Sequence, residues 1–360
     1  MEKKKFLKSL MMVISVSLTA TILAWSAPTQ SAEQPHVKTW KIQSVYPIQV
    51  NPPWKPETYQ VQTWAKWVQD MSGGRLKIEI LPAGTVVGAG EVFNAVSKGV
   101  LDGAFHYGGF WEGILGPITN VEIGLPLVWT NPSECWDGIY NYGLDDIFKA
   151  VYAKHNIYWM SVIGGMTYHF GTTFPISGIK DIKGKKIRAI GPYADYVKKL
   201  GGTPTIVAPA ETYMALKLGT IDGVIYGMGT LETQGLREVI KYYVVEPNLN
   251  VISMQLLLNK GSFEALPDDI KENIKKWSRY ILSGGAPFEH VIECKKMEPR
   301  LEKYGVTLVH FSQKDTDRIA EISAEIIQDV KKKGKAAGDE YTIKATDIIE
   351  KQMKDYGRFK

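Results

Sequence analysis

The chain is poor in cysteine, with Cys135 and Cys294 the only two in 360 residues. Two thiols so far apart in sequence are not a disulfide framework. In an exported protein they can join or remain isolated and buried, and both readings stay open. Histidine is scarce as well, and no two of the six stand at metal-ligand spacing. HExxH, GxSxG, Walker A and CxxC patterns are absent. Gly88-x-Gly90 and Gly227-x-Gly229 lack the third glycine of a dinucleotide fingerprint and read as turn glycines. Nothing calls for catalysis, so the expected catalytic residues, cofactor and metal are all none. Beyond residue 32 there is no long apolar run, hence no expected membrane-spanning helix. Strong charge is missing too. Lys3, Lys4, Lys5 and Lys8 against Glu2 give the first 32 residues +3 of the formal +5, leaving +2, which is no nucleic-acid footprint.

The first 32 residues read as a cleaved secretory signal. A lysine-rich start precedes the apolar stretch Met11–Ala24, and small residues follow from Ser26 to Ala32, where cleavage is expected. No cysteine in that window offers a lipid anchor. The expectation is an exported, soluble, periplasmic protein whose remaining length suits two domains.

What the rest contains is one structural unit written twice. The first copy runs from about Thr39 to Tyr107: a strand (Trp40–Tyr46), a helix (Thr58–Met71) closed by Gly73-Gly74, a strand (Leu76–Leu81), a helix (Glu91–Lys98) stopped by Gly99, and Leu101-Asp102-Gly103 turning into a last strand. The second runs from Lys186 to Tyr226: strand Ile187–Ile190, helix Tyr193–Leu200, Gly201-Gly202, strand Thr203–Val207, helix Glu211–Leu218, then Ile221-Asp222-Gly223. Residues 99, 102 and 103 fall on 219, 222 and 223 without a gap. Val61, Trp64, Ala65, Val68 and Met71 form the core-facing stripe of the first helix, and Leu76, Ile78 and Ile80 the buried side of the strand after it. Two β-α-β-α-β copies predict two α/β lobes with a cleft between them. Helices are expected over about Ser133–Tyr152, Phe263–Leu282, His290–Tyr304 and Ile343–Tyr356, and from a capping box at Ser312; strands are expected at Ile157–Val162 and Val251–Asn259.

Arg188 is the leading candidate for function. It ends a short strand that runs into Gly191-Pro192 and a new helix, and a guanidinium beside a helix N-terminus suits a carboxylate. The alternative is a structural ion pair with Asp181 or Asp195. His106, Tyr107 and Tyr226 occupy matched strand ends, and Trp111, Tyr168 and Met228 lie close to such ends. Together they are expected to line an aromatic cleft, against the alternative of plain inter-lobe packing.

Ser72-Gly-Gly-Arg-Leu-Lys-Ile-Glu-Ile-Leu-Pro82, Asp181-Ile-Lys-Gly-Lys-Lys-Ile-Arg188, Gly219-Thr-Ile-Asp-Gly223 and Phe263-Glu-Ala-Leu-Pro-Asp-Asp269 after Leu258-Asn-Lys260 resemble the periplasmic solute-binding proteins of tripartite ATP-independent periplasmic (TRAP) transporters, the DctP family. The likeness spans nearly all of the chain after the leader. It implies an α/β, two-lobed periplasmic-binding-protein-like fold with the ligand cleft between lobes. Lobe I would comprise residues 36–158 plus 242–283, and lobe II residues 159–241 plus 284–360 with the C-terminal helices. It implies that Arg188 holds a ligand carboxylate and that the receptor delivers an organic acid to membrane permease subunits.

Lys241-Tyr-Tyr-Val-Val-Glu-Pro247 resembles the branch that binds 2-oxo acids. That branch carries a Glu-Trp pair and a glutamine that help hold a metal-chelated ligand. Here the pair reads Ile225-Tyr226 and Thr167 stands where the glutamine would fall, which favours a directly bound carboxylate with a larger or more apolar body. Some members of the branch dimerise through the C-terminal helix, so a homodimer is a further expectation. The rival readings are a periplasmic enzyme using His106 or His169 as a base beside Arg188, and a ligand sensor on the same scaffold.

Overall fold

The computed structural model describes residues 37–46, 48, 57–280 and 296–358. The expected leader, Cys294 and the residues before 296 in the helix expected from His290 lie outside them. The first copy of the unit is β1 (Lys38–Ser44), α1 (Glu57–Met71), β2 (Leu76–Leu81), α2 (Val92–Ser97) and β3 (Gly103–His106). Short helices follow: α3 (Glu112–Leu115), α4 (Ile118–Glu122), α5 (Pro132–Trp136) and α6 (Leu144–Ala153), with a π-helical turn at Asp137–Asn141. After β4 (Ile157–Thr172) comes the second copy: β5 (Lys186–Arg188), α7 (Pro192–Lys199), β6 (Thr203–Thr205), α8 (Thr212–Lys217) and β7 (Gly223–Gly227). The chain continues with α9 (Met228–Thr233), β8 (Tyr242–Glu246), β9 (Asn250–Asn259), α10 (Lys260–Glu264), α11 (Asp268–Tyr280), β10 (Thr307–His310), α12 (Gln313–Ala337) and α13 (Glu340–Asp355). No helix among the described residues is long and apolar enough to cross a membrane.

The strands form one mixed sheet in the order β2-β1-β3-β9-β4-β7-β5-β6, with β8 on β4 and β10 on β8. Within each copy the three strands are parallel, β1 between β2 and β3, and β5 between β6 and β7. The fourth strand of each half is antiparallel and comes from elsewhere in the chain: β9 pairs with β3, and β4 pairs with β7. β4 and β9 also pair with each other, from Ile157 opposite Asn259 to Tyr168 opposite Asn250. Residues 38–360 accordingly cluster as one compact unit.

The repeated Asp-Gly has a backbone explanation in both copies. Asp102 Oδ2 accepts the Lys41 N–H at 2.9 Å, and Asp222 Oδ2 accepts the Lys186 N–H at 2.8 Å, so each carboxylate serves the first parallel strand of its unit. The glycine follows from the antiparallel neighbour. A Cβ on Gly103 would lie 2.5 Å from the Leu257 carbonyl oxygen, and one on Gly223 2.8 Å from that of Gly171.

Strand ends shift by up to two residues, as at Thr203–Thr205, and three expected elements differ more in extent. The helix expected over Ser133–Tyr152 is interrupted by the π-helical turn and by Gly143, which sits at φ 87° in the left-handed region. The helix expected from Phe263 is two, because Pro267 disfavours a helical Leu266. β4 extends well past Val162, since Gly164-Gly165 falls in a register shift between Ile163 and Met166, a bulge in a continuing strand.

The C-terminal hairpin binds both copies' surroundings. α12 opens on Ser312, whose hydroxyl accepts the Asp315 N–H at 3.2 Å. It packs on α7, where Lys199 pairs with Glu325 at 3.1 Å and Asp329 at 3.0 Å, and Lys333 pairs with Asp195 at 2.9 Å. α13 buries Ala345, Ile349 and Met353 and packs on α4 and α6 of its own chain. Trp129 Nε1 donates to Gln352 Oε1 at 3.0 Å. Beyond the helix, Arg358 grips Glu134 through both carboxylate oxygens, at 2.6 and 2.9 Å, and reaches the Val128 carbonyl at 3.1 Å. Among the described residues Cys135 is a free, fully buried thiol, and burial holds it protonated.

Candidate functional site

The carboxyl ends of the parallel strands β1, β3, β5 and β7 deliver Tyr46, Tyr107, Arg188 and Tyr226, the edge at which open α/β sheets place ligands. Arg188 is only 4 % exposed. Its Nε donates to the Val207 carbonyl at 3.1 Å, and the centre of its guanidinium stacks 4.3 Å from the Tyr226 ring centroid. Neither Asp181 nor Asp195 pairs with it: Asp181 caps the Ser177–Gly178 turn, and Asp195 binds Lys198 and Lys333.

The repeat supplies an internal control for this arginine. Ile42 and Ile187 are opposite Gly103 and Gly223 in register, so the next residues, Gln43 and Arg188, are equivalent. Gln43 Nε2 donates to the Val87 carbonyl at 2.8 Å, the counterpart of the Arg188–Val207 bond, and Gln43 Oε1 accepts the Val86 N–H at 2.9 Å. The scaffold therefore needs one side-chain donor at this place, and glutamine meets that need. Arginine makes the same bond through Nε and still carries a two-pronged cationic end, which no carboxylate meets among the described residues.

Around that end stand phenols. Tyr168 lies 5.4 Å from Tyr193 and 6.0 Å from Tyr226, centroid to centroid. Burial pulls the Arg188 guanidinium down, but Tyr226, Tyr168, Tyr46 and Tyr107 outweigh it and hold it above its ordinary value, so it is cationic throughout the physiological range. Burial raises the Tyr107 and Tyr193 phenols well above their usual value, which keeps them neutral donors. The Tyr107 hydroxyl is buried with no hydrogen-bond partner among the described residues. The two sides meet here: a Cβ on Gly109 would lie 2.8 Å from Tyr107 Cε1 and 3.2 Å from Ile190 Cγ2.

Of the residues singled out from the sequence, Arg188, Tyr226, Tyr168 and Tyr107 come together. Met228 is buried at the start of α9, directly after β7. His106 and Trp111 stack on each other at 4.2 Å, in a layer with Phe93 and Tyr152 rather than beside Arg188. Successive strand residues point to opposite faces, so His106 and Tyr107 cannot both face the arginine. Desolvation drops the His106 imidazole to about 3, leaving it neutral. His169 is buried in β4, with Nδ1 at 2.9 Å from the Val244 carbonyl and Nε2 at 2.8 Å from Thr167 Oγ1.

Sequence reasoning missed Tyr46 and Tyr193. Tyr46 was readable as the last residue of the expected first strand; Tyr193 follows the anchor by five positions, at the start of a helix, and only its packing on Tyr168 brings it in. No three His, Cys, Asp or Glu side chains gather at metal-binding range among the described residues. The arrangement is a buried cluster of phenol rings around one cation, suited to holding a small anion through charge and stacking.

The profile of the family described as bacterial extracellular solute-binding protein, family 7 (DctP), matches residues 49–333. A solute-binding protein of Chromohalobacter salexigens is 25 % identical over 281 residues, covering 77 % of this chain and 79 % of that protein. A monocarboxylate 2-oxoacid-binding periplasmic protein of Nostoc sp. is 25 % identical over 274 residues, covering 73 % and 71 %. Among solved structures, a TRAP transporter solute-binding protein from Bordetella bronchiseptica, with calcium and picolinate in its site, superposes with a TM-score of 0.78. It is 20 % identical and the match covers 89 % of this chain and 93 % of the other.

Proposed function

The chain belongs to the DctP family of bacterial extracellular solute-binding proteins, non-catalytic receptors of TRAP transporters that work outside the cytoplasm, and from that premise we propose that it captures an organic carboxylate at Arg188 and delivers it to a membrane permease. The carrying observation is the buried arginine whose structural bond a glutamine makes in the other copy, leaving its charged fork free for a ligand. Tyr226 stacks on the guanidinium, Tyr168 and Tyr193 wall the enclosure, and the buried Tyr107 hydroxyl donates from the opposite side. With a single cation and walls of phenol rings, the site favours a monocarboxylate with a flat or apolar body, bound directly.

In this reading the copies of the repeat lie in two lobes, residues 36–158 plus 242–283 and residues 159–241 plus 284–360. The ligand touches both and stabilises their closed arrangement. The leader is removed on export, between residues 26 and 32. A thermal-shift screen against pyruvate, picolinate and larger aromatic monocarboxylates, with and without calcium, tests the proposal. Ligand at 100 times its Kd stabilises by about 2.7 kcal/mol, which is readily measured. A shift that needs Arg188 but no metal is expected. A shift that survives Arg188→Ala removes the anchor, and absence of any shift refutes the carboxylate assignment.

A further inference from the structure

Behind the wall that carries Tyr107 lies a buried carboxyl group that the site above does not use. Glu122 ends α4 and is 1 % exposed. Its Oε1 accepts Trp159 Nε1–H and its Oε2 pairs with the Tyr152 hydroxyl, both at 2.7 Å. Oε2 presses against Gly108, where a Cβ would be only 2.5 Å away. The Gly108 N–H in turn donates to Gln255 Oε1 at 2.8 Å, Gln255 Nε2 donates to Ser253, and the Ser253 hydroxyl donates to the Glu122 carbonyl. The main chain of Glu122 and the loop 107–111 are thus joined by hydrogen bonds, while the carboxyl itself packs against Gly108. Gly109 of that loop abuts Ile190, two residues past Arg188.

No cation acts on the Glu122 carboxyl among the described residues. Tyr152 from α6 is the titratable group in contact, while Trp159 from β4, Gln255 and Ser253 from β9 and Gly108 are neutral. His106 from β3 lies beyond Trp111 and is uncharged. Burial lifts the Glu122 carboxyl to about 7, against smaller opposing effects of Tyr152 and Trp159. The Tyr152 hydroxyl can donate to the carboxylate or accept from the acid, so the pair survives in either protonation state.

We propose that anion capture at Arg188 is coupled to uptake of one proton at Glu122, which makes the receptor's affinity fall as the medium turns alkaline. The inference rests on the carboxylate-receptor reading. Ile190 abuts Gly109 and the Glu122 carboxyl abuts Gly108, so in this proposal separating the two sides lets water reach the Gly108 backbone, and bringing them together excludes it. Drying disfavours the charged form. A ligand that holds the closed arrangement therefore favours the protonated carboxyl, and by linkage the proton favours the ligand.

The test uses whichever of pyruvate, picolinate or benzoate gives the largest thermal shift, titrated by calorimetry from pH 6 to 8.5 in buffers of different ionisation enthalpy. A one-unit rise of the Glu122 value on binding corresponds to about tenfold weaker affinity on the alkaline limb, with proton uptake appearing as a buffer-dependent enthalpy. Glu122→Gln is expected to bind at the acid-limb affinity across the whole range with no proton uptake. Tyr152→Phe removes a hydrogen bond that lowers the Glu122 value, so the fall in affinity moves to higher pH. That second variant also decides the question if Glu122→Gln does not fold. A flat profile in the native protein, or a slope that persists in Glu122→Gln, overturns the coupling while leaving the receptor reading intact. Failure of all three probes to bind at pH 6 overturns the carboxylate reading and this inference with it.

Discussion

Arg188→Gln separates what the scaffold needs at this position from what a ligand needs. Gln43 already shows that glutamine satisfies the counterpart carbonyl at 2.8 Å, so the introduced amide is expected to donate to Val207 in the same way. The variant gives up the stacking of the guanidinium on Tyr226, about 0.5–2 kcal/mol. It also relieves the cost of holding an unpaired charge in a buried place, which has the opposite sign. The two nearly cancel, and the ligand-free protein is expected to unfold within about 1 kcal/mol of the parent, a few degrees at most. Binding behaves differently. Removing one partner of a desolvated charge pair costs about 2–5 kcal/mol, which weakens Kd roughly 30- to 5,000-fold. Calorimetric titration with a carboxylate hit, alongside thermal unfolding without ligand, measures both quantities on one preparation. Two results refute the reasoning. A loss of more than about 3 kcal/mol in the ligand-free form would show that the guanidinium holds the fold together. Unchanged affinity would show that the ligand is held elsewhere.

The repeated Asp-Gly predicts equal penalties in the two copies: Gly103→Ala and Gly223→Ala each drive a methyl into a neighbouring carbonyl and are expected to destabilise by about 1–3 kcal/mol in urea unfolding. Asp222→Ala strips the acceptor from the Lys186 N–H and is expected to cost roughly 1 kcal/mol by the same assay, without touching the Arg188 guanidinium. Glu122 carries a raised value in the folded state, so its contribution to stability is full below its unfolded value and is lost as pH rises through about 7. That loss amounts to roughly 3 kcal/mol, and Glu122→Gln is expected to flatten this part of the stability profile. Arg358→Ala breaks the grip on Glu134 and Val128 and is expected to lower stability by about 1–3 kcal/mol, with protease sensitivity appearing first at α13.

The doubled unit was legible because its punctuation is chemical: paired glycines after each first helix, and an aspartate–glycine step before each third strand. The structure gives the second of these a backbone reason in both copies. Arg188 was legible as a cation at the end of a strand, and the family motif around it agreed. Its decisive comparison, with Gln43, was hidden, because aligning 43 with 188 requires the register of β1 and β5 against Gly103 and Gly223. His106 and Trp111 were drawn into the cleft by proximity in sequence to Tyr107. Strand alternation turns His106 the other way, and Trp111 goes with it. The break at Pro267 and the bulge at Gly164-Gly165 show opposite uses of breaker residues: one ends a helix, the other lets a strand continue.

The exchange of fourth strands has a consequence for how the chain reaches this state. β3 cannot complete its side of the sheet until β9 arrives, and the pairing partner of Gly103 is Leu258. The amino-terminal third therefore cannot settle while it emerges, however good its local helices are. Contacts so distant along the chain make folding slow. For a protein of a family that works outside the cytoplasm, slowness is an asset, because a chain that stays loose until its last third is made remains fit for threading through a translocation channel.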